Sequence, residues 1–304
     1  MKLAMIHAQD GPRLVVVNPE GTRVLDPACL TAEHPRTIEA VLATGQTTVR
    51  PSAEDAPPSA ATCLASLKGR AGNAPQEAWI PVESVSLAPP IRRPGKIMAI
   101  GLNYRDHAAE QNLTPPVRPL IFAKLPTSIV GPDDFIEIPP ASDQIDHEVE
   151  LAVIIGRGGR FITVDEAPAH IFGYTVLNDV TARDLQKSDR QWVRAKSFDT
   201  FCPLGPWVVT ADEFPHPPEL PIRCRVNGEV RQESNSSNLI FGVAELISDL
   251  SAAFTLEPGD IIATGTPSGV GIFRTPPVFL RDGDVVEAEI DGIGVLRNRV
   301  RKSR

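Results

Sequence analysis

Apolar and polar positions alternate with a period of two along most of this chain, which is the pattern of strands with one buried face. "LAMIHA" and "RLVVVN" flank "QDGP", which predicts a β-hairpin over residues 1–18. "TIEAVLATG" (37–45) predicts a short helix stopped by Gly45. Residues 50–78 are rich in Ala, Pro, Ser and Gly and read as part helix, part loop. A Pro-rich connector around "LAPPIRRPG" precedes the strand "KIMAIGL" and places a domain boundary near residue 90. The chain thus divides into a small N-terminal α/β domain, 1–90, and a larger domain, 91–304.

Past that boundary the predicted strands are "PLIFAKL", "DFIEIP", "EVELAVIIG", "FGYTVLND", "PLGPWVVT", "IRCRVNGEVRQ", "DIIATGT" and "DVVEAEIDGIGVLRNRV". Asn227-Gly228 between alternating flanks signals a tight hairpin, and Asp291-Gly292 repeats the signal. Helices are few: one after "NDVTARDLQ" and one through "GVAELISDLSAAF" (242–254). No repeat of solenoid length is present. The fold class is α+β, mostly β, on folded-over sheets.

Totals narrow the function. With 304 residues, 42% of them hydrophobic, the chain can bury a sizeable core. A net charge of −8 without a basic cluster argues against nucleic acid and anionic membrane as partners. The 30 prolines and 22 glycines favour turns over long helices. Cys29, Cys63, Cys202 and Cys224 form no CxxC pair and read as reduced thiols. "MKLAMIHAQDG" is too short for a signal peptide, no run reaches a membrane span, and a cytoplasmic location is expected.

"QIDHEVELAVIIG" (144–156) carries the first chemistry. An apolar strand opens on Asp146, His147, Glu148 and Glu150. Residues i and i+2 share a strand face, about 7 Å apart along the chain, so Glu148 and Glu150 point the same way. Two like charges at a buried edge repel and resist desolvation; a hard divalent cation removes both penalties, and an exposed strand end with solvated glutamates is the alternative. Leu151 stands where HExxH needs its second His, which excludes a zincin. Asp179, at the end of "YTVLND", is available as a third ligand, while Thr181 and Asp184 fit a capping box.

His107 and Glu110, three apart, share a face on a helical turn, as a general base and its orienting carboxylate or as a surface pair. Lys124 and Lys196 lie among apolar neighbours and need an anionic partner, or else reach solvent. "ATGTPSGVG" (263–271) is neither GxxxxGK[ST] nor GxGxxG; its amides and Thr266 can hold an anion, or form only a tight turn.

As a set, "GLNYRDHAAE", "FAKLPTSIVGP", "IDHEVELAVIIG", "GYTVLNDVTARDLQ", "AKSFDTFCPLGPW", "VNGEVRQ", "GDIIATGTPSGVG" and "GDVVEAEIDGIGVLRNRV" resemble the fumarylacetoacetate hydrolase family, in order, over roughly residues 94–300. The resemblance implies a mixed β-roll catalytic domain, a homodimer, and Mg2+ or Mn2+, with Ca2+ a third option. It also assigns roles: Glu148, Glu150 and Asp179 to the metal, His107 and Glu110 to a catalytic dyad on a lid, and Lys196 to catalysis. Lys124, Gln186 and Thr266 match positions lining the substrate pocket.

The activity so implied is hydrolysis of a carbon–carbon bond in a 1,3-diketo or acylpyruvate-type acid, as in aromatic catabolism. The metal chelates the oxo acid, His107 activates water, and Lys196 and Thr266 stabilise the oxyanion. Alternatives on the same scaffold are decarboxylation of oxaloacetate or another β-keto acid, and hydration or isomerisation of catechol meta-cleavage products. A non-catalytic carboxylate or metal binder leaves the His–Glu pair without a purpose. Residues 108–120 are the expected source of specificity, with the N-terminal part across an interface as a second source; Arg118 either meets a second substrate carboxylate or faces solvent, the preferred reading.

Overall fold

A computed structural model of the chain describes residues 1–26, 35–43 and 60–303. Its backbone is a mixed twelve-stranded sheet beside an open five-stranded one. The large sheet runs Ile80–Pro81, Arg23–Leu25, Arg13–Val17, Lys2–Ile6, Cys202–Thr210, Ile171–Asn178, Val149–Ile155, Ile261–Ala263, Ile97–Gly101, Leu120–Lys124. Leu87–Ala88 and Ile129–Val130 pair off this path. The second sheet runs Glu229–Asn235, Pro221–Val226, Val285–Ile290, Gly294–Lys302, Phe135–Ile138. The mostly-β α+β class expected from the alternation is the one observed.

Burial explains the two sequence textures. Val149–Ile155 is central and covered on both faces, so every position is buried and the run is continuously apolar. Pro221–Val226 has one covered face and alternates. Asn227 and Gly228 both take positive φ, 53° and 79°, and close the predicted two-residue hairpin. Asp291-Gly292 differs: Ile290 pairs with Gly294, so the loop holds three residues.

The N-terminal hairpin Lys2–Ile6/Arg13–Val17 forms as expected, and Lys2 and Leu3 pair on with Val209 and Val208. Leu3, Met5 and Leu14 share one core cluster with Ile97, Ala99, Ala152 and Ile154. The 37–45 prediction appears as the helix Ile38–Ala43, and Ala60–Gly72 supplies the helical part of 50–78. Gly45, Cys29 and residues 50–59 lie outside the described residues. Cys202 and Cys224 are free thiols, and both are buried, as is Cys63. Among the described residues no helix is long and apolar enough to cross a membrane.

Candidate active site

Strand register assembles the acidic cluster. Val149 pairs with Asn178 across the ladder, the Asn178 carboxamide oxygen accepts the Glu148 N–H, and the Asp179 N–H donates to the Glu148 carbonyl at 2.8 Å. Asp179 is thereby seated beside Glu148, and a ligand oxygen from each of Glu148, Glu150 and Asp179 lies within 4.8 Å of the others. All three residues are buried.

Burying three carboxylates together requires counter-charge. Lys196 Nζ donates to Glu148 Oε2 at 2.8 Å and to Asp179 Oδ2 at 2.5 Å. Lys124 Nζ donates to Asp179 Oδ1 at 2.6 Å and to the Lys196 carbonyl. Arg183 spans Asp146 Oδ2 at 2.8 Å and Glu148 Oε1 at 2.7 Å. Asp146 also takes the Gly271 and Ile272 N–H groups, so the first acid of the motif anchors a loop. Burial alone would raise Glu148, but Lys196 and Arg183 outweigh it and bring the carboxyl down to about 2. Burial opposes charge on Lys196, yet Asp179 and Glu148 hold its ammonium above the ordinary lysine value.

Glu150 is the exception. Its donor is the Gly265 N–H at 2.8 Å; among the described residues no ammonium or guanidinium forms an ion pair with it, and Lys196 acts on it only through space. Burial, then Asp179 and Glu148, push its carboxyl well above the usual range. An all-oxygen donor set with one uncompensated carboxylate fits a hard divalent cation.

The dyad stands opposite on the helix Arg105–Glu110. His107 Nδ1 lies 2.9 Å from Glu110 Oε2, and Glu110 Oε1 accepts the Gly269 N–H at 2.9 Å. Gln111 Nε2 lies 2.9 Å from His107 Nε2. With Glu110 taking the Nδ1 proton, Nε2 is the acceptor and the Gln111 amide donates to it. Phe273 tilts over the imidazole at 5.8 Å between centroids.

His107, Glu148, Glu150, Gln186, Lys196 and Thr266 all line one cavity of about 420 Å3. Glu110 and Asp179 stand one layer behind it. Lys124, expected on the wall, does not line the cavity; it is fully buried and holds Asp179 and the Lys196 carbonyl in place. Thr266 departs from its expected part too. Its hydroxyl donates to the Val149 carbonyl at 2.9 Å and accepts from Gln232 at 2.7 Å, so its proton is not free for an oxyanion. The capping box is absent: Thr181 Oγ1 donates to the Asp179 carbonyl, and the helix Arg183–Ser188 has no side-chain N-cap. Arg118 is exposed and off the cavity.

Sequence reasoning missed Arg183, Gln111, Gln232 and Gly269. The i+4 spacing of Gln111 from His107 was a usable signal. Gln232 sits on a distant hairpin and carried none.

The family model described as fumarylacetoacetate (FAA) hydrolase C-terminal matches residues 96–301. This chain belongs to that family. Among its relatives, oxaloacetate tautomerase FAHD2A, mitochondrial, of Bos taurus is 51% identical over 223 residues, 73% of this chain and 71% of the relative. The Homo sapiens FAHD2A protein of the same description is 49% identical over the same shares. Among solved structures of the family, a fumarylacetoacetate hydrolase from Exiguobacterium antarcticum superposes with a TM-score of 0.81 at 36% identity, covering 100% of both chains. A 2-hydroxyhepta-2,4-diene-1,7-dioate isomerase from Mycobacterium marinum reaches 0.73 at 35% identity, over 100% of this chain and 99% of that one. The resemblance drawn from the motifs is thus confirmed. These relatives include isomerases and a tautomerase beside a hydrolase, so carbon–carbon hydrolysis is not the family's one outcome.

Proposed function

We propose that this protein interconverts the keto and enol forms of a short 2-oxo acid of the oxaloacetate type. The observation that carries the reading is the commitment of the groups that hydrolysis would need. The Thr266 proton goes to the Val149 carbonyl, and Lys196 is shared between Glu148 and Asp179. A tetrahedral oxyanion would have to draw on donors already in use. Tautomerisation makes no such demand, and it agrees with the tautomerase names of relatives about half identical to this chain.

His107 does the proton work. Glu110 holds Nδ1–H and fixes the tautomer, leaving Nε2 to take a proton from the carbon next to the 2-oxo group once Gln111 turns aside. His107 then delivers that proton to the 2-oxo oxygen, which completes the enol and returns the imidazole to its neutral form; the reverse transfers restore the ketone. One C–H bond breaks, one O–H bond forms, and no water is consumed. Phe273 keeps the imidazole away from bulk solvent. A divalent cation, Mg2+ or Mn2+, held by Glu148, Glu150 and Asp179 would supply Lewis acidity toward the oxo acid.

The test mixes oxaloacetate with the Mg2+- or Mn2+-loaded protein and follows enol absorbance, CO2 and fragments together. Faster keto–enol exchange without CO2 is the expected result. CO2 release with pyruvate would establish decarboxylation instead, and cleavage of an acylpyruvate into two acids would restore the hydrolase reading.

A further inference from the structure

The cavity has one wall of uncommitted donors. Arg183, Gln186 and Lys187 follow one another at i, i+3 and i+4 on the helix Arg183–Ser188, so they share a face, and all three line the cavity. Arg183 has its charge paired with Asp146 and Glu148, although its Nη2 has no hydrogen-bond partner among the described residues. Gln186 uses its carbonyl oxygen on Arg183 at 3.0 Å, which leaves its NH2 for another acceptor. Lys187 is exposed at the rim and, among the described residues, makes no ion pair or hydrogen bond. Of the cations on this cavity, Arg183 and Lys196 are neutralised by carboxylates and Lys187 is not. The rest of the lining includes the apolar side chains of Leu102, Leu113, Leu120, Phe122 and Trp192.

A 2-oxo acid with a second carboxylate brings two charges into this space. The end facing the triad and His107 is the reacting end. The far carboxylate then needs a cation, and apolar side chains offer none. We propose that Lys187, with the Gln186 NH2 beside it, binds the distal carboxylate and selects dicarboxylic over monocarboxylic 2-oxo acids. The inference rests on the reading of this site as one for 2-oxo acids. Lys187 is a specificity residue here, touching the end of the substrate remote from the transferred proton.

The test uses the Mg2+-loaded full chain as wild type, K187M and K187R. Oxaloacetate kinetics are measured beside calorimetric binding of two non-reacting probes, malate and lactate. The wild type should bind malate more tightly than lactate. K187M should weaken malate by about tenfold, the size of a lost hydrogen bond to a charged group, and leave lactate unchanged. It should raise KM for oxaloacetate by about the same factor with kcat largely retained, and K187R should recover most of the loss. A K187M protein that keeps the wild-type malate-to-lactate ratio overturns the assignment, as does a wild type without the preference. If the wild type fails to tautomerise oxaloacetate while K187M still loses its malate preference, the tautomerase reading falls and the role of Lys187 stands.

Discussion

Glu150→Gln isolates the feature that would make the acidic cluster a cation site. At the 4.8 Å separation bounding the triad, two like charges repel by about 3.5 kcal/mol at an effective dielectric of about 20. Lys196, Arg183 and Lys124 offset most of the charge on Glu148 and Asp179, whereas none of them forms an ion pair with Glu150. Removing its charge without changing its size should therefore stabilise the metal-free protein by about 1–3 kcal/mol, or roughly 2–6 °C in Tm. Most substitutions of buried residues do the opposite. The direction with pH follows from the raised carboxyl. A group that holds its proton more tightly folded than unfolded gives stability at low pH and loses it as pH climbs from the ordinary carboxylate value toward the raised one. The chelated wild type should weaken over that window, and E150Q should not. With Mg2+ or Mn2+ at about 100 times its Kd, the wild type should gain about 2.7 kcal/mol and the variant far less. Differential scanning fluorimetry after EDTA treatment, with and without added cation, reads all three effects. A metal-free E150Q less stable than the wild type, or one keeping the full cation response, refutes the reasoning.

Other substitutions separate the dyad from its supports. His107→Asn should cut turnover by about 10²–10⁴ while the cation-induced thermal shift persists; unchanged turnover would remove His107 from the chemistry. Lys124→Met leaves Asp179 without one of its two cations in a fully buried site and should cost about 3–5 kcal/mol in urea unfolding; a cost near zero would mean that Lys196 alone suffices. At Gly269, φ is +101° and an added Cβ would lie 2.0 Å from the Arg231 carbonyl. Gly269→Ala should therefore destabilise the fold by more than about 1 kcal/mol and release Glu110 from its backbone donor, with kcat falling more than cation affinity. Equal kcat in that variant would show that the Gly269 N–H does not matter to the dyad.

Much of the site was legible because it is written in short-range spacing. The i, i+2 glutamates and the i, i+3 His–Glu pair are set by strand and helix periods, and both glutamates and His107 line one cavity. The resemblance placed Lys124 and Thr266 on the pocket; Thr266 lines it with its hydroxyl already engaged, and Lys124 lies behind it. A lysine ending an apolar strand looks the same whether its ammonium reaches a substrate or a buried aspartate. A threonine after a strand does not announce that a glutamine on another sheet, Gln232, will occupy its oxygen. The TARD capping signal failed for a related reason: Thr181 had a better partner in the Asp179 carbonyl.

Alternation, turn residues and the shared face of Glu148 and Glu150 follow from the sequence by itself, since each depends on contacts within a few residues. The two-residue turn at Asn227-Gly228 needs only the left-handed tolerance of those two residues. Which carboxylates meet, and which cation each one keeps, was decided by tertiary structure. The pairing of Val149 with Asn178 brings Asp179 to Glu148, and among the described residues the same packing leaves Glu150 and Lys187 without an ion pair. Charges interact through space, and only the folded chain sets those distances.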